Sequence, residues 1–131
     1  MQVDPRIEKV HILIAHHQEN VRSALTFLLS QEPNFHVVGE ACDLEELMNS
    51  LSDSHVDTIL LDCDLVGKPI TDQIAEFQEQ TGNLKVVVLC SSTETKQTLP
   101  STGDYTLVDI TEHPRNLIST LRVLELERNY E

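Results

Sequence analysis

The chain has 131 residues, of which 40% are apolar and only nine are glycine or proline, so we predict one globular domain and exclude fibrous or linker-like material. It carries 22 acidic against nine basic residues, a formal net charge of −13. The basic residues are scattered singly, so direct binding to nucleic acid or to an anionic membrane is not expected.

Targeting signals and cysteine spacing bear on the compartment. No apolar run approaches the roughly 20 residues of a membrane-spanning helix, and the start MQVDPRIEKV lacks the apolar core of a signal peptide. The three cysteines (Cys42, Cys63 and Cys90) have no CxxC spacing, which favours reduced thiols over a disulfide framework. These features predict a cytoplasmic protein.

Five short apolar runs, rich in β-branched residues or leucine, predict β-strands. Their apolarity is continuous rather than alternating, which is typical of parallel strands covered on both faces. The runs are Val10–Ala15, Phe35–Gly39, Thr58–Asp62, Lys85–Cys90 and Tyr105–Ile110.

Four segments around these runs space their apolar residues at a helical period, which predicts amphipathic helices. They contain Val21–Leu29, Leu44–Leu51, Ile70–Phe77 and Leu117–Leu124. Asp43, followed three residues later by Glu46, resembles a capping box at the start of the second helix. The segment Ser91–Gly103 holds only Leu99 as a large apolar residue, so a helix between strands four and five is expected to be short or irregular.

Strands that alternate with helices predict right-handed βαβ units and an α/β fold with a doubly wound parallel sheet. Ligands of such sheets bind at the carboxyl ends of the strands. The residues expected at that edge are His16, His17, Asp62, Asp64, Cys90, Ser91, Val108 and Asp109.

Five phrases of the chain resemble the receiver domain of two-component response regulators, in particular the subfamily that precedes a helix-turn-helix DNA-binding domain. They are KVHILIAHHQENVRSALTFLL, FHVVGEA, TILLDCDLVG, KVVVLC and DYTLVDI. The resemblance covers about Lys9 to Arg128 of a single domain spanning residues 1–131. It implies a flavodoxin-like five-stranded parallel sheet of order 2-1-3-4-5, and phosphoryl transfer to one aspartate with Mg²⁺ as cofactor.

Three positions match the receiver pattern. The resemblance implies that Asp62, at the end of TILLD, is the phosphoacceptor. Asp64 matches the position whose backbone carbonyl helps to hold the metal, and Tyr105 matches the aromatic residue whose orientation reports the activation state.

Four positions of the phosphorylation pocket are altered. His16 and His17 stand where the family has two acidic residues that bind Mg²⁺ directly or through water. Cys90 replaces the hydroxyl residue that closes strand four. Val108 replaces the strand-five lysine that pairs with the phosphoryl group.

These replacements change the chemistry of the pocket. Mg²⁺ demands oxygen ligands, whereas imidazole suits transition metals, so the two histidines predict a loss of Mg²⁺ affinity. Loss of the lysine and the hydroxyl removes further transition-state stabilisation of about 2–4 kcal/mol each. The phosphorylation site is therefore interpreted as degenerate.

The leading hypothesis is an atypical receiver that is not an enzyme, uses no cofactor and signals through protein–protein contacts. The partner would be a second copy of the chain, a histidine kinase or another regulatory protein. The subfamily resemblance also implies a DNA-binding output domain, and both a stand-alone receiver and one belonging to a longer protein fit the sequence.

Other interpretations of the pocket stay open at this point. Asp62 could still accept a phosphoryl group. His16, His17, Asp62 and Cys90 could form a metal- or redox-responsive switch. Alternatively, one imidazole pairs with Asp62 and partly replaces the positive charge that Mg²⁺ and lysine supply in the family, with a pH response as one consequence.

Overall fold

The computed structural model describes residues 9–65, 70–90 and 105–129. The strands are β1 (Val10–Ala15), β2 (Phe35–Ala41), β3 (Thr58–Asp62), β4 (Lys85–Cys90) and β5 (Tyr105–Asp109). The helices are α1 (Glu19–Ser30), α2 (Leu44–Asp53), α3 (Ile70–Gln80) and α4 (Arg115–Asn129). The segment Ser91–Gly103, for which a short or irregular helix was predicted, lies outside the described residues.

The five strands form one parallel sheet in the order β2-β1-β3-β4-β5, which confirms the predicted topology. Strand β2 runs two residues past its predicted end at Gly39. Its register against β1 shifts between Ile12 and Leu13, so that Ile12 pairs with Val37 and Leu13 with Gly39. The pairing therefore skips one residue of β2, and the later residues of β2 remain paired with the end of β1.

Each face of the sheet is covered by helices, because the strand side chains alternate between two hydrophobic clusters. The first cluster includes Leu61 of β3 and packs against α2 and α3. The second includes Leu60, the preceding residue of β3, and packs against α1 and α4. Strand β3 is buried along its whole length, which explains its uninterrupted apolar sequence up to Asp62.

The start of α2 follows the predicted capping pattern with one difference. The Asp43 side chain accepts a hydrogen bond from the Glu46 backbone N–H at 2.8 Å. The Glu46 carboxylate accepts from the N–H of Cys42, also at 2.8 Å, rather than from that of Asp43. Both carboxylates thus satisfy N–H groups at the entry to the helix. In the described part of the chain, no helix has the length and apolarity needed to span a membrane.

Replacement of a core phenylalanine tests this packing. Phe77 of α3 is fully buried, whereas Phe27 of α1 is 69% exposed. We expect Phe77→Ala to lower the free energy of unfolding by about 3–5 kcal/mol, because the change leaves a cavity beneath the sheet. Phe27→Ala is the matched control and is expected to stay within about 0.5 kcal/mol of the wild type. Urea denaturation measures both, and equal effects would contradict the assigned packing.

Candidate functional site at the carboxyl edge of the sheet

Asp62 ends the central strand β3 and lies at the carboxyl edge of the sheet. Its side chain is almost entirely buried, although a carboxylate loses strong hydration on burial. The fold places it there because β3 lies between β1 and β4, and both neighbours are themselves buried. A buried carboxylate at this position requires partners.

Both carboxylate oxygens of Asp62 have hydrogen-bond partners. These partners lie either close to Asp62 in the sequence or in the connection between β1 and α1. The Asp64 backbone N–H donates to Oδ1 at 3.0 Å. His17 Nδ1 forms a short hydrogen bond with Oδ2, and the His17 backbone N–H lies 3.5 Å from the same oxygen. His16 Nε2 lies 3.8 Å from Oδ2. The interpretation in which an imidazole pairs with Asp62 is thereby confirmed.

The protonation state of Asp62 follows from competing effects. Burial acts to raise its pKa, but the hydrogen bonds from Asp64 and His17, together with the nearby His16, outweigh burial and hold the pKa below its ordinary value. Asp62 is therefore ionised at neutral pH. It follows that the proton of the His17–Asp62 hydrogen bond resides on His17 Nδ1, which donates it.

His16 is held in one orientation by its own backbone surroundings. Its N–H donates to the Ala41 carbonyl at 3.0 Å, and its ring Nδ1 accepts from the Gln18 N–H at 3.1 Å. A neutral imidazole with Nδ1 as acceptor carries its proton on Nε2, the atom that faces Asp62. Burial is the largest influence on this ring and lowers the pKa of His16 despite the attraction of Asp62. His16 is therefore neutral at neutral pH.

The two histidines differ in exposure although they are consecutive. The His16 side chain is 5% exposed and that of His17 is 52% exposed. Their rings stack with centroids 4.9 Å apart and an interplanar angle of 13°. The buried ring thus forms the wall of the pocket, and the exposed ring covers the Asp62 carboxylate.

Arg22 also supports the pocket and was not anticipated from the sequence. Its Nη1 donates to the His16 carbonyl at 2.8 Å, and its Nε lies 3.3 Å from Glu40 Oε1. Arg22 lies in the first turns of α1, where the helix dipole disfavours a positive charge. That unfavourable placement was the signal in the sequence that Arg22 has a specific partner.

Cys90 and Tyr105 lie on the face of the sheet that α2 and α3 cover. Cys90 is fully buried and belongs to the hydrophobic cluster beneath α2 and α3, against which the half-buried Tyr105 packs. Cys63 packs against the same cluster, where burial and then the nearby Cys90 raise the pKa of its thiol to about 12. A thiol held protonated in this way is a poor nucleophile, which disfavours redox chemistry at Cys63.

Val108 lies in the row of the sheet that contains Asp62. Asp62 pairs with Leu89 across β3 and β4, and Leu89 pairs with Val108 across β4 and β5. Val108 is buried in the cluster beneath α1 and α4. An aliphatic side chain therefore occupies the row where the receiver pattern has its lysine.

Few of the donor atoms around Asp62 suit a Mg²⁺ ion. Ligand atoms of His16, His17 and Asp62 lie within 4.8 Å of one another, and those of Asp62, Cys63 and Asp64 form a second such group. Among these ligands only the Asp62 and Asp64 carboxylates offer the oxygen that Mg²⁺ requires, since imidazoles and a protonated thiol are poor ligands for a hard cation. Both Asp62 oxygens already accept hydrogen bonds. A transition metal would have to displace the His17 proton, and Cys90 is not a member of either group.

No family model and no curated protein matches the chain. Solved structures do match it. A two-component response regulator of the LuxR family from Aurantimonas shares 16% identity at a TM-score of 0.75, over 89% of this chain and 85% of that one. A CheY-like response regulator receiver domain protein from Methanospirillum hungatei shares 16% identity at 0.73, over 94% and 98% of the two chains.

A third match adds a longer protein. The RcsB response regulator from Salmonella typhimurium, solved in work on its DNA interaction, shares 21% identity at a TM-score of 0.71. The match covers 90% of this chain but 62% of RcsB, so the chain spans less than two thirds of that protein. Together these matches show that the chain has the receiver fold of response regulators.

The lowered pKa of His16 predicts a specific pH dependence of stability. The unfolded chain binds a proton at His16 near the ordinary histidine pKa, but the folded protein binds it only at lower pH. The stability that neutral His16 contributes is fully present at pH values above the ordinary histidine pKa. It is lost as the pH falls below that value towards the pKa of His16 in the folded protein. We expect His16→Gln to flatten the decline in the free energy of unfolding between about pH 7.5 and about pH 5.5. Urea denaturation at both pH values measures the difference, and parallel declines in the two proteins would refute it.

Proposed function

We propose that the chain is a signalling receiver domain of the two-component type that acts without Mg²⁺-dependent phosphorylation. The observation that carries the proposal is the set of partners around Asp62. Its carboxylate is held by His17 and by the Asp64 backbone N–H, with His16 as the pocket wall. The Nδ1–H group of His17 thus belongs to a residue that stands where the receiver pattern has a ligand of the metal.

Phosphoryl transfer to Asp62 would meet three obstacles. A carboxylate oxygen must attack the phosphorus atom, and the hydrogen bonds that both oxygens of Asp62 accept lower their nucleophilicity. The charge that develops on the transferring group is stabilised in receivers by Mg²⁺, and the donor set here does not suit that ion. Val108 supplies no charge in the row of Asp62, where a lysine would pair with the phosphoryl group.

The same contacts give the domain one resting conformation. Asp62 is ionised and paired with His17, so hydrogen bonds of the protein itself supply part of the stabilisation that a metal would bring to the carboxylate. Tyr105 and Cys90 share one hydrophobic cluster beneath α2 and α3. In this proposal the domain presents a constant surface to its partner and catalyses no reaction.

Charge and exposed apolar side chains support a protein partner. The net charge of −13 opposes contact with nucleic acid. In the described ranges, three large apolar side chains are exposed: Phe27 on α1, and Val123 and Leu126 on α4. Both helices cover the same face of the sheet, and Arg122 of α4 forms an ion pair at 2.7 Å with Glu32, just after the end of α1. This face is the surface that we assign to a second copy of the chain or to another signalling protein, such as a histidine kinase.

Incubation with Mg²⁺ and a small-molecule phosphodonor tests the proposal. We expect the intact mass of the wild type to stay unchanged, because the donor atoms around Asp62 suit Mg²⁺ poorly and Val108 supplies no charge to the transferring group. Labelling by about 80 Da, the mass of one phosphoryl group, that is lost in Asp62→Asn would show a working receiver instead. A phosphorylatable receiver domain in the same assay is the positive control.

A restored variant sharpens the same experiment. His16→Asp combined with His17→Asp and Val108→Lys returns carboxylates and a lysine to the positions that the receiver pattern assigns to them. We expect this triple variant to gain phosphodonor labelling and the additional Asp62→Asn change to remove it. Labelling of the wild type at the rate of the restored variant would contradict the proposed roles of the three residues.

A further inference from the structure

A second cluster of imidazoles and a carboxylate lies at the opposite, amino edge of the sheet. His11 is the second residue of β1, Asp57 immediately precedes β3, and His55 lies in the connection from α2 to β3. His11 is five residues before His16, which corresponds to about 16 Å along an extended strand. This cluster is therefore separate from the Asp62 pocket.

Backbone contacts with two strands fix the position of Asp57. Its N–H donates to the His11 carbonyl at 2.8 Å, and its own carbonyl accepts from the Lys85 N–H at 3.0 Å. Its Oδ2 accepts from the His11 N–H at 2.8 Å. The Asp57 side chain is 8% exposed, so a buried carboxylate of fixed position forms the floor of the cluster.

Two imidazoles converge on this one carboxylate. His11 Nδ1 lies 3.2 Å from Asp57 Oδ2, and His55 Nε2 lies 2.9 Å from Asp57 Oδ1. The two rings meet edge to face with centroids 5.1 Å apart. His36, paired with His11 in the neighbouring strand, also meets the His11 ring edge to face, with centroids 5.8 Å apart.

These distances suit a small divalent ion. Bonds of about 2.0–2.2 Å from Zn²⁺ to imidazole nitrogen and carboxylate oxygen place the ligand atoms of a tetrahedral site roughly 3.4 Å apart. One ligand atom from each of His11, His55 and Asp57 already lies within 4.8 Å of the others. Only small side-chain movements separate the hydrogen-bonded cluster from a coordinating one.

We propose that His11, His55 and Asp57 bind a Zn²⁺ ion at the amino edge of the sheet. Two imidazoles and one carboxylate are ligands that Zn²⁺ accepts and that disfavour Mg²⁺ and Ca²⁺. Three protein ligands leave the fourth tetrahedral position to water. The His55 side chain is 71% exposed and that of His11 33% exposed, so the ion reaches the site directly from solvent. The strongly acidic chain attracts cations in general.

A bound ion would join the connection between α2 and β3 to strand β1. His55 belongs to that connection, whereas His11 belongs to the sheet. Because the ligands come together only in the folded chain, binding stabilises the native state by mass action. The site therefore links metal supply to the stability of a domain whose phosphorylation pocket has lost the features that bind Mg²⁺.

Calorimetric titration of the untagged, metal-free protein with Zn²⁺ tests the proposal. We expect one ion per chain and a rise in the melting temperature on its addition. His55→Gln removes an exposed ligand without disturbing the core, and we expect it to weaken binding at least about tenfold, since even residues that only orient metal ligands have effects of about 10–100-fold. The rise in melting temperature should fall in parallel.

Two control variants separate this site from other histidines. His17→Gln removes the exposed imidazole of the Asp62 pocket, and His113→Gln removes an exposed imidazole near the start of α4. We expect both variants to keep the wild-type affinity, and the imidazole NMR signals of His11 and His55 to shift on titration of the wild type. Absence of saturable binding, or binding that survives His55→Gln but is lost in His17→Gln, would overturn the proposal.

Discussion

A carboxylate buried at the end of the central strand is the constraint on which the pocket depends. Transfer of an ionised carboxylate out of water costs several kcal/mol unless partners compensate it. In Asp62 the compensation comes from the Asp64 N–H, from His17 Nδ1 and from the nearby His16 ring. These partners belong to the turns that follow β3 and β1, so the order of strands in the sheet determines which groups can reach the carboxylate.

The two edges of the sheet solve the same electrostatic problem in related ways. Asp57 immediately precedes β3 and Asp62 is its last residue. Both carboxylates are buried, and both are paired with imidazoles. At the carboxyl edge one ring is buried and neutral, and the other covers the carboxylate. At the amino edge both rings reach solvent. The first arrangement closes a pocket, whereas the second leaves donor atoms accessible to an ion.

The fold could be predicted almost completely from the sequence, because strand β3 and its neighbours are apolar without interruption and the helical segments carry clear apolar stripes. The end of β2 could not be predicted, because the register irregularity opposite Ile12 and Leu13 depends on the pairing between strands. The residues at the carboxyl edge followed from the strand ends, and the resemblance implied their roles. The pairing of an imidazole with Asp62 was one of several open interpretations. The cluster of His11, His55 and Asp57 was missed, because its members meet only when distant turns come together in three dimensions. Arg22 was missed because its place in the helix indicates a partner without saying which one.

The central claim is that His17 and the Asp64 N–H hold Asp62 in place of a metal ion. ¹³C NMR of the Asp62 side-chain carboxyl during titration with Mg²⁺ measures this directly. The structure predicts a carboxyl that is ionised at neutral pH and whose signal shows no saturable change as Mg²⁺ is added. A saturable shift of that signal, accompanied by release of the His17 imidazole, would contradict the account.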